Sequence, residues 1–118
     1  MKMRFVFTAA VAAVVSAFFS CSAPKTLYSW YGYEKATYRY EKRATPELLN
    51  AMLAEYARIE KEQTSGRKTV PPGFSAEYGY LLYQNGQKEE GLKLLKREME
   101  LYPESKNYIS SIVKQLEK

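Results

Sequence analysis

A thiol, two carboxylates and a run of aromatic rings are the reactive or adhesive groups that this sequence offers. The thiol is Cys21, the single cysteine among 118 residues, which can make no internal disulfide. The carboxylates are Glu77 and Glu98, the pair that acid–base hydrolysis would need if they shared a cleft. The rings are Tyr28, Trp30, Tyr31, Tyr33, Tyr38 and Tyr40, six within thirteen residues, with Lys and Glu between them. Rings at that density serve either as a stacking platform for glycan or peptide, or as half-buried core. Histidine is absent, which removes Cys–His catalysis and metal sites built on His/Cys clusters. There is no G-x-S-x-G and no phosphate-cradling glycine loop, so no enzymatic role is expected.

The surroundings of Cys21 give its thiol a specific use. Lys2 and Arg4 form a short positive start, and Phe5 to Phe19 is an apolar run broken only by Thr8 and Ser16. A membrane-spanning helix needs roughly twenty residues, so this shorter run fits the apolar part of a signal peptide better. Phe18-Phe19-Ser20-Cys21 resembles the lipobox read by lipoprotein signal peptidase, with Phe18 and Phe19 where Leu and a small residue are usual. The expectation is a signal peptide over 1–20, cleavage before Cys21, and a lipidated cysteine and tether over 21–29. Two or three acyl chains on that cysteine would anchor stably, where one binds only marginally. Ser22 follows Cys21 in place of an Asp, and no acidic cluster follows either. That pattern points to the outer membrane of a bacterial envelope, on its periplasmic side. Apart from the covalent lipid, no cofactor or metal is expected.

Removal of the first 20 residues leaves 98, enough for one small core. With Lys2 and Arg4 gone, 16 basic residues face 13 acidic ones, a net +3. Basic and acidic residues alternate along the helical segments, so no nucleic-acid patch stands out.

These groups must be positioned by helices. Trp30, Tyr33, Thr37 and Tyr40 recur at helical spacing and predict a helix over 31–42; Tyr38-Arg39-Tyr40 also allows a strand, with no evident partner. Thr45 caps the next helix, expected over 45–64, with Pro46 at its first position and Glu47 in its first turn. Leu49, Met52, Leu53, Tyr56 and Ile59 form its apolar stripe, while Glu55, Arg58, Glu60, Lys61 and Glu62 read as solvated surface. Gly66 is the expected left-handed stop, followed by a stiff Pro71-Pro72-Gly73 linker.

Beyond Pro72 the spacing resembles a tetratricopeptide hairpin over 72–105. Gly79 takes the position of close helix approach, Gly86 the turn, Gly91 and Leu95 the small and large positions of the second helix, and Pro103 the end. Gly91 departs from the usual Ala at a cost of about 0.5–1 kcal/mol of helix stability. Glu98 also departs, at a position normally small and apolar, where a bond to Tyr or to backbone across the hairpin would satisfy it. One such hairpin cannot cover its own face. A final helix carrying Tyr108, Ile109, Ile112, Val113 and Leu116 on one side would complete an all-α domain of about five helices over 30–118.

The chain resembles a family of uncharacterised bacterial lipoproteins known as domain of unknown function 4810. The residues that carry the resemblance are Leu27-Tyr28-Ser29-Trp30, Gly32-Tyr33-Glu34, Val70-Pro71-Pro72-Gly73, Ala76-Glu77-Tyr78-Gly79-Tyr80-Leu81-Leu82 and Tyr102-Pro103-Glu104-Ser105 with Glu98. Tyr102 stands where the family tends to have Trp. The resemblance implies an envelope address and neighbours similar to the curli secretion channel and to a further small lipoprotein. It assigns no activity. The expected function is that of a membrane-anchored protein-binding adaptor, taking a peptide or helix of another envelope protein through Tyr80, Tyr83 and neighbouring polar groups. Two further readings stay open: a glycan or peptidoglycan module using Trp30, Tyr31 and Tyr33, and a purely structural subunit. No small-molecule substrate is expected.

Overall fold

A computed structural model describes residues 25–118; the expected signal peptide and Cys21 lie outside the described residues. Among the described residues the chain is all-helical, with five α-helices and no strand. These are α1 (Tyr33–Lys42), α2 (Pro46–Lys61), α3 (Phe74–Gln84), α4 (Lys88–Leu101) and α5 (Lys106–Leu116), with a 3-10 turn at Pro103–Ser105.

Helix α2 starts where the capping residues place it. Thr45 Oγ1 accepts from the Leu48 N–H at 3.4 Å, and Pro46 occupies the first turn, where its missing N–H costs nothing. The stripe then buries Met52, Tyr56 and Ile59 with Val70 and Phe74, and α1 adds Tyr33, Ala36 and Tyr40 to the edge of that cluster. The helix ends at Lys61, before the expected Thr64. Gly66 is not the left-handed residue; Lys68 is, at φ 52. The Gly66 N–H instead donates to Thr26 O at 3.1 Å and Arg67 N–H to Leu27 O at 3.1 Å. Packing against that loop shortens the expected 21–29 tether, because the chain is already held from Thr26 onward.

Helices α3 and α4 form an antiparallel hairpin whose backbones nearly touch. A Cβ on Gly79 would meet the Gly91 carbonyl oxygen at 2.6 Å, and one on Gly91 would meet the Gly79 carbonyl oxygen at 2.5 Å. The Gly91 departure thus has a steric cause: alanine does not fit between these helices. Gly86 turns the chain at φ 90, and Gly73 opens α3 at φ 87, both in the region that favours glycine. Pro103 opens the 3-10 turn that follows α4, and α5 packs back on α4 through Leu95, Ile109 and Val113.

Two acids enter the interior. Glu98 is buried, and its Oε1 accepts the Gly73 N–H at 2.6 Å, capping the start of α3 across the hairpin. Its Oε2 has no hydrogen-bond partner. Glu60, expected on the solvated face, is buried at 8% exposure, because Ser75 of α3 and Arg97 of α4 close over it.

Gly91→Ala should lower stability by about 1–3 kcal/mol through overpacking, although alanine in an open helix gains about 1 kcal/mol. Urea unfolding of both chains checks this, and an equal or higher midpoint for the variant would show that the contact opens freely.

Candidate functional site

The three N-terminal rings proposed as a platform go to different places. Tyr33, at the start of α1, stacks on Tyr56 of α2 with centroids 5.2 Å apart and planes 24° apart. Tyr56 in turn packs against Phe74 and Tyr78 of α3, at 5.2 and 5.8 Å. Trp30 lies on the outer edge of this cluster, 5.1 Å from Tyr33 and inclined at 57° to it. Tyr31 turns away, with its backbone at φ 43. Its hydroxyl donates to Glu62 O, and the Arg58 guanidinium lies 4.0 Å from its ring centroid. The rings share no common plane. Tyr33 is half-buried core, while Trp30 and Tyr31 keep about two-fifths of their surface in solvent.

The cluster converges on Glu77 of α3. Tyr56 Oη donates to Glu77 Oε1 at 2.6 Å, and Tyr33 Oη donates to both carboxylate oxygens at 3.2 Å. Burial, reinforced by the bond to Glu77, raises the Tyr56 hydroxyl far above the ordinary tyrosine range. It stays a donor at any physiological pH. Glu77 and Glu98 therefore serve different partners: Glu98 caps α3, and Glu77 is held by two tyrosines.

Glu77 also lines a groove of about 510 Å³ between α3 and α5. Leu95 and Ile109 form its buried base, and Ala76, Ile112 and Leu116 its half-buried walls. Tyr80 and Tyr108 stand on its rim, 42% and 72% exposed, and Gln115 adds a second polar group. The groove exists because α5 packs along α4 and approaches α3 only at Ala76 and at the Tyr83–Leu116 bond, so Tyr80 is left uncovered. Tyr80 stands on its rim. Tyr83 does not line it: its hydroxyl donates to Leu116 O at 2.6 Å, propping the end of α5 against α3.

Tyr108 is the groove residue that sequence reasoning misplaced. Its helical spacing with Ile112 suggested an inward stripe, but it projects to the rim. Phe74 and Tyr78 were missed as partners of the N-terminal rings. The alternation of rings around Glu77 was the available signal.

Pro71 is buried beside Val70, Pro72 is exposed, and the Tyr102 hydroxyl donates to Val70 O, fixing this loop to the end of α4. Among the described residues, no group of three or more acidic or Cys side chains is arranged to hold a metal ion.

The chain matches the family described as Domain of unknown function (DUF4810) over residues 27–112. It belongs to that family. The match begins at Leu27, one residue past the first backbone bond to the 66–67 loop, and ends within α5. No curated protein and no solved structure matches the chain.

Burial raises the Glu60 carboxyl above its ordinary value, against the opposing pull of Arg97 and Ser75. A carboxyl with a raised native pKa holds its proton longer folded than unfolded. The stability it contributes is full below the ordinary carboxylate value and is lost as pH rises through the raised one. Glu60→Gln keeps an acceptor for Ser75 and removes this titration. The unfolding free energy of the variant relative to the parent should rise with pH across that window and be flat below it. A difference that is constant at every pH would remove Glu60 as a titrating core group.

Proposed function

We propose that this chain is a lipid-anchored, periplasm-facing adaptor of the bacterial outer membrane, without catalytic function of its own. It receives an apolar segment of another envelope protein in the α3–α5 groove. The observation that carries the reading is the groove itself, with an apolar floor, two exposed tyrosines on the rim and one oriented carboxylate. Exposed aromatics around a hydrophobic centre are the usual anchors of protein recognition. Glu77 adds a preference for a segment carrying Lys or Arg, because its acceptor oxygens are already aimed by Tyr33 and Tyr56. An amphipathic helix or an extended peptide meets these requirements. The anchor in this reading is Cys21, on the sequence argument alone. A lipoprotein similar to the curli secretion channel is the first partner to test.

The glycan alternative gains no support from the rings. A sugar-stacking platform needs open coplanar faces, and Trp30 and Tyr33 meet at 57° with Tyr33 half-buried.

A photo-crosslinking residue at position 108, in the full chain in native membranes, tests the adaptor reading directly. The expected product is one discrete envelope protein, lost when Tyr80 is also changed to Ala and lost in the mislocalised Cys21→Ala chain. Capture that ignores Tyr80 would sink the groove as the docking site, and recovery of peptidoglycan fragments alone would favour the glycan reading.

The rim tyrosines should be dispensable for folding. Tyr80→Ala with Tyr108→Ala should leave stability within about 0.5 kcal/mol per site, as for exposed positions, while abolishing capture by a photo-crosslinking residue placed at the groove position 115. Thermal unfolding and the crosslinking yield check the two halves separately.

A further inference from the structure

Leu27, Trp30 and Tyr31 are large and exposed, at 59%, 44% and 38%. They occupy one short segment laid along the loop after α2. Thr26 and Leu27 carbonyls accept from Gly66 and Arg67 at 3.1 Å, Ser29 N–H donates to Gln63 Oε1 at 2.9 Å, and Tyr31 Oη reaches Glu62 O. The segment is therefore rigid in its attachment, with Tyr28 and Ser29 half-buried and Leu27, Trp30 and Tyr31 left exposed. Three basic side chains flank it, and the acid that meets its end, Glu55, accepts the Gly32 N–H at 3.2 Å. Residues 25–33 and 63–73 carry Lys25, Arg67 and Lys68 and no Asp or Glu. Arg58, over the Tyr31 ring, is paired with Glu62 at 3.3 Å and adds no net charge.

We propose that this edge rests on an anionic phospholipid surface. Trp30 and Tyr31 sit at headgroup depth, Leu27 enters the acyl boundary, and Lys25, Arg67 and Lys68 meet lipid phosphates. The inference rests on the lipid anchor at Cys21 proposed above. Leu27 lies six positions after Cys21, a span of at most about 22 Å when fully extended. An acylated Cys21 thus holds the patch within reach of the interface whichever way the tether bends. Rings with one apolar and one polar edge favour that depth, and basic side chains beside them are attracted to anionic lipid. Among the described residues no helix is long and apolar enough to cross a membrane, so the contact is with the surface. The patch also adds a second hold to the acyl chains.

Trp30 is the only tryptophan in the chain, so its fluorescence reports this face alone. The full chain is matured in a bacterial host, its acylation read by intact mass, and then reconstituted into phosphatidylglycerol–phosphatidylethanolamine vesicles with brominated acyl chains. The expected result is a blue-shifted Trp30 emission and loss of most of its intensity to bromine. Leu27→Glu and the triple Lys25→Glu, Arg67→Glu, Lys68→Glu chain, both altered only at exposed sites, should each restore most of that intensity while still floating with the vesicles. An acylated, floating parent with unquenched Trp30 overturns the inference, leaves the anchor intact and gives this face to a protein partner. Intact mass without acyl chains overturns the anchor and the inference together.

Discussion

The approach of Gly79 to Gly91 sets the rest of this structure. Two backbones come close enough that each glycine would drive a Cβ into the carbonyl oxygen of the other. That distance brings Leu82 and Leu94 out of water at the hairpin interface, and it leaves Leu95 facing the other side, where α5 lands. Because α5 follows α4 after a single 3-10 turn, it returns along α4 and not along α3. The flank of α3 around Tyr80 is then left open. The groove is thus a consequence of two missing side chains and one short connection, and it survives only while the hairpin stays closed.

The same hairpin is fastened at its open end by an acid. Glu98 comes from the last turns of α4 and takes the Gly73 N–H at the first turn of α3. A carboxylate is well suited to the positive end of a helix dipole, which offsets part of the cost of burying it. The Tyr102 hydroxyl reaches Val70 O one helical turn further on. The Val70–Gly73 loop is therefore bonded to the end of α4 at two points, and α2 meets the hairpin across it. Glu60, with Ser75 and Arg97, fills the third corner of that junction. Polar atoms here join the α1–α2 core to the α4–α5 core, a task that apolar contacts alone leave unspecific in direction.

Much of this was legible in the residues. Thr45-Pro46 marks α2, and Gly79, Gly86, Gly91 and Pro103 mark the hairpin, because caps, turns and close approaches demand particular local chemistry. Local chemistry is also where legibility stops. Glu60 follows Ile59 on a helix whose polar face reads as solvated, and what buries it is Ser75 and Arg97, 15 and 37 positions away. Tyr108 keeps helical spacing with Ile112, yet the helix that would have covered it is not there. Tyr83 is paired with a carbonyl 33 positions on. Each miss concerns what lies opposite a helix face. Periodicity reports that a face exists and is silent on its neighbour.

The density of rings near the N-terminus invites a reading as a binding platform, but the bonding gives them another task. Tyr33 and Tyr56 turn their hydroxyls on one carboxylate, Glu77, which also borders the groove. A surface glutamate ordinarily loses side-chain freedom when it pairs with a ligand, at a cost of about 1.5–2 kcal/mol. Glu77 has already been ordered by folding, so in the adaptor proposed above a basic group arriving in the groove would meet an acceptor in place. The aromatic cluster, read this way, acts through the acid it positions. Its stacking faces are spent on Phe74, Tyr78 and one another, and of the N-terminal rings Trp30, Tyr31 and Tyr38 remain exposed for contacts outside the domain. One set of rings thereby separates two surfaces: a groove organised around Glu77 on the α3–α5 side, and an exposed edge beside the chain leading to Cys21.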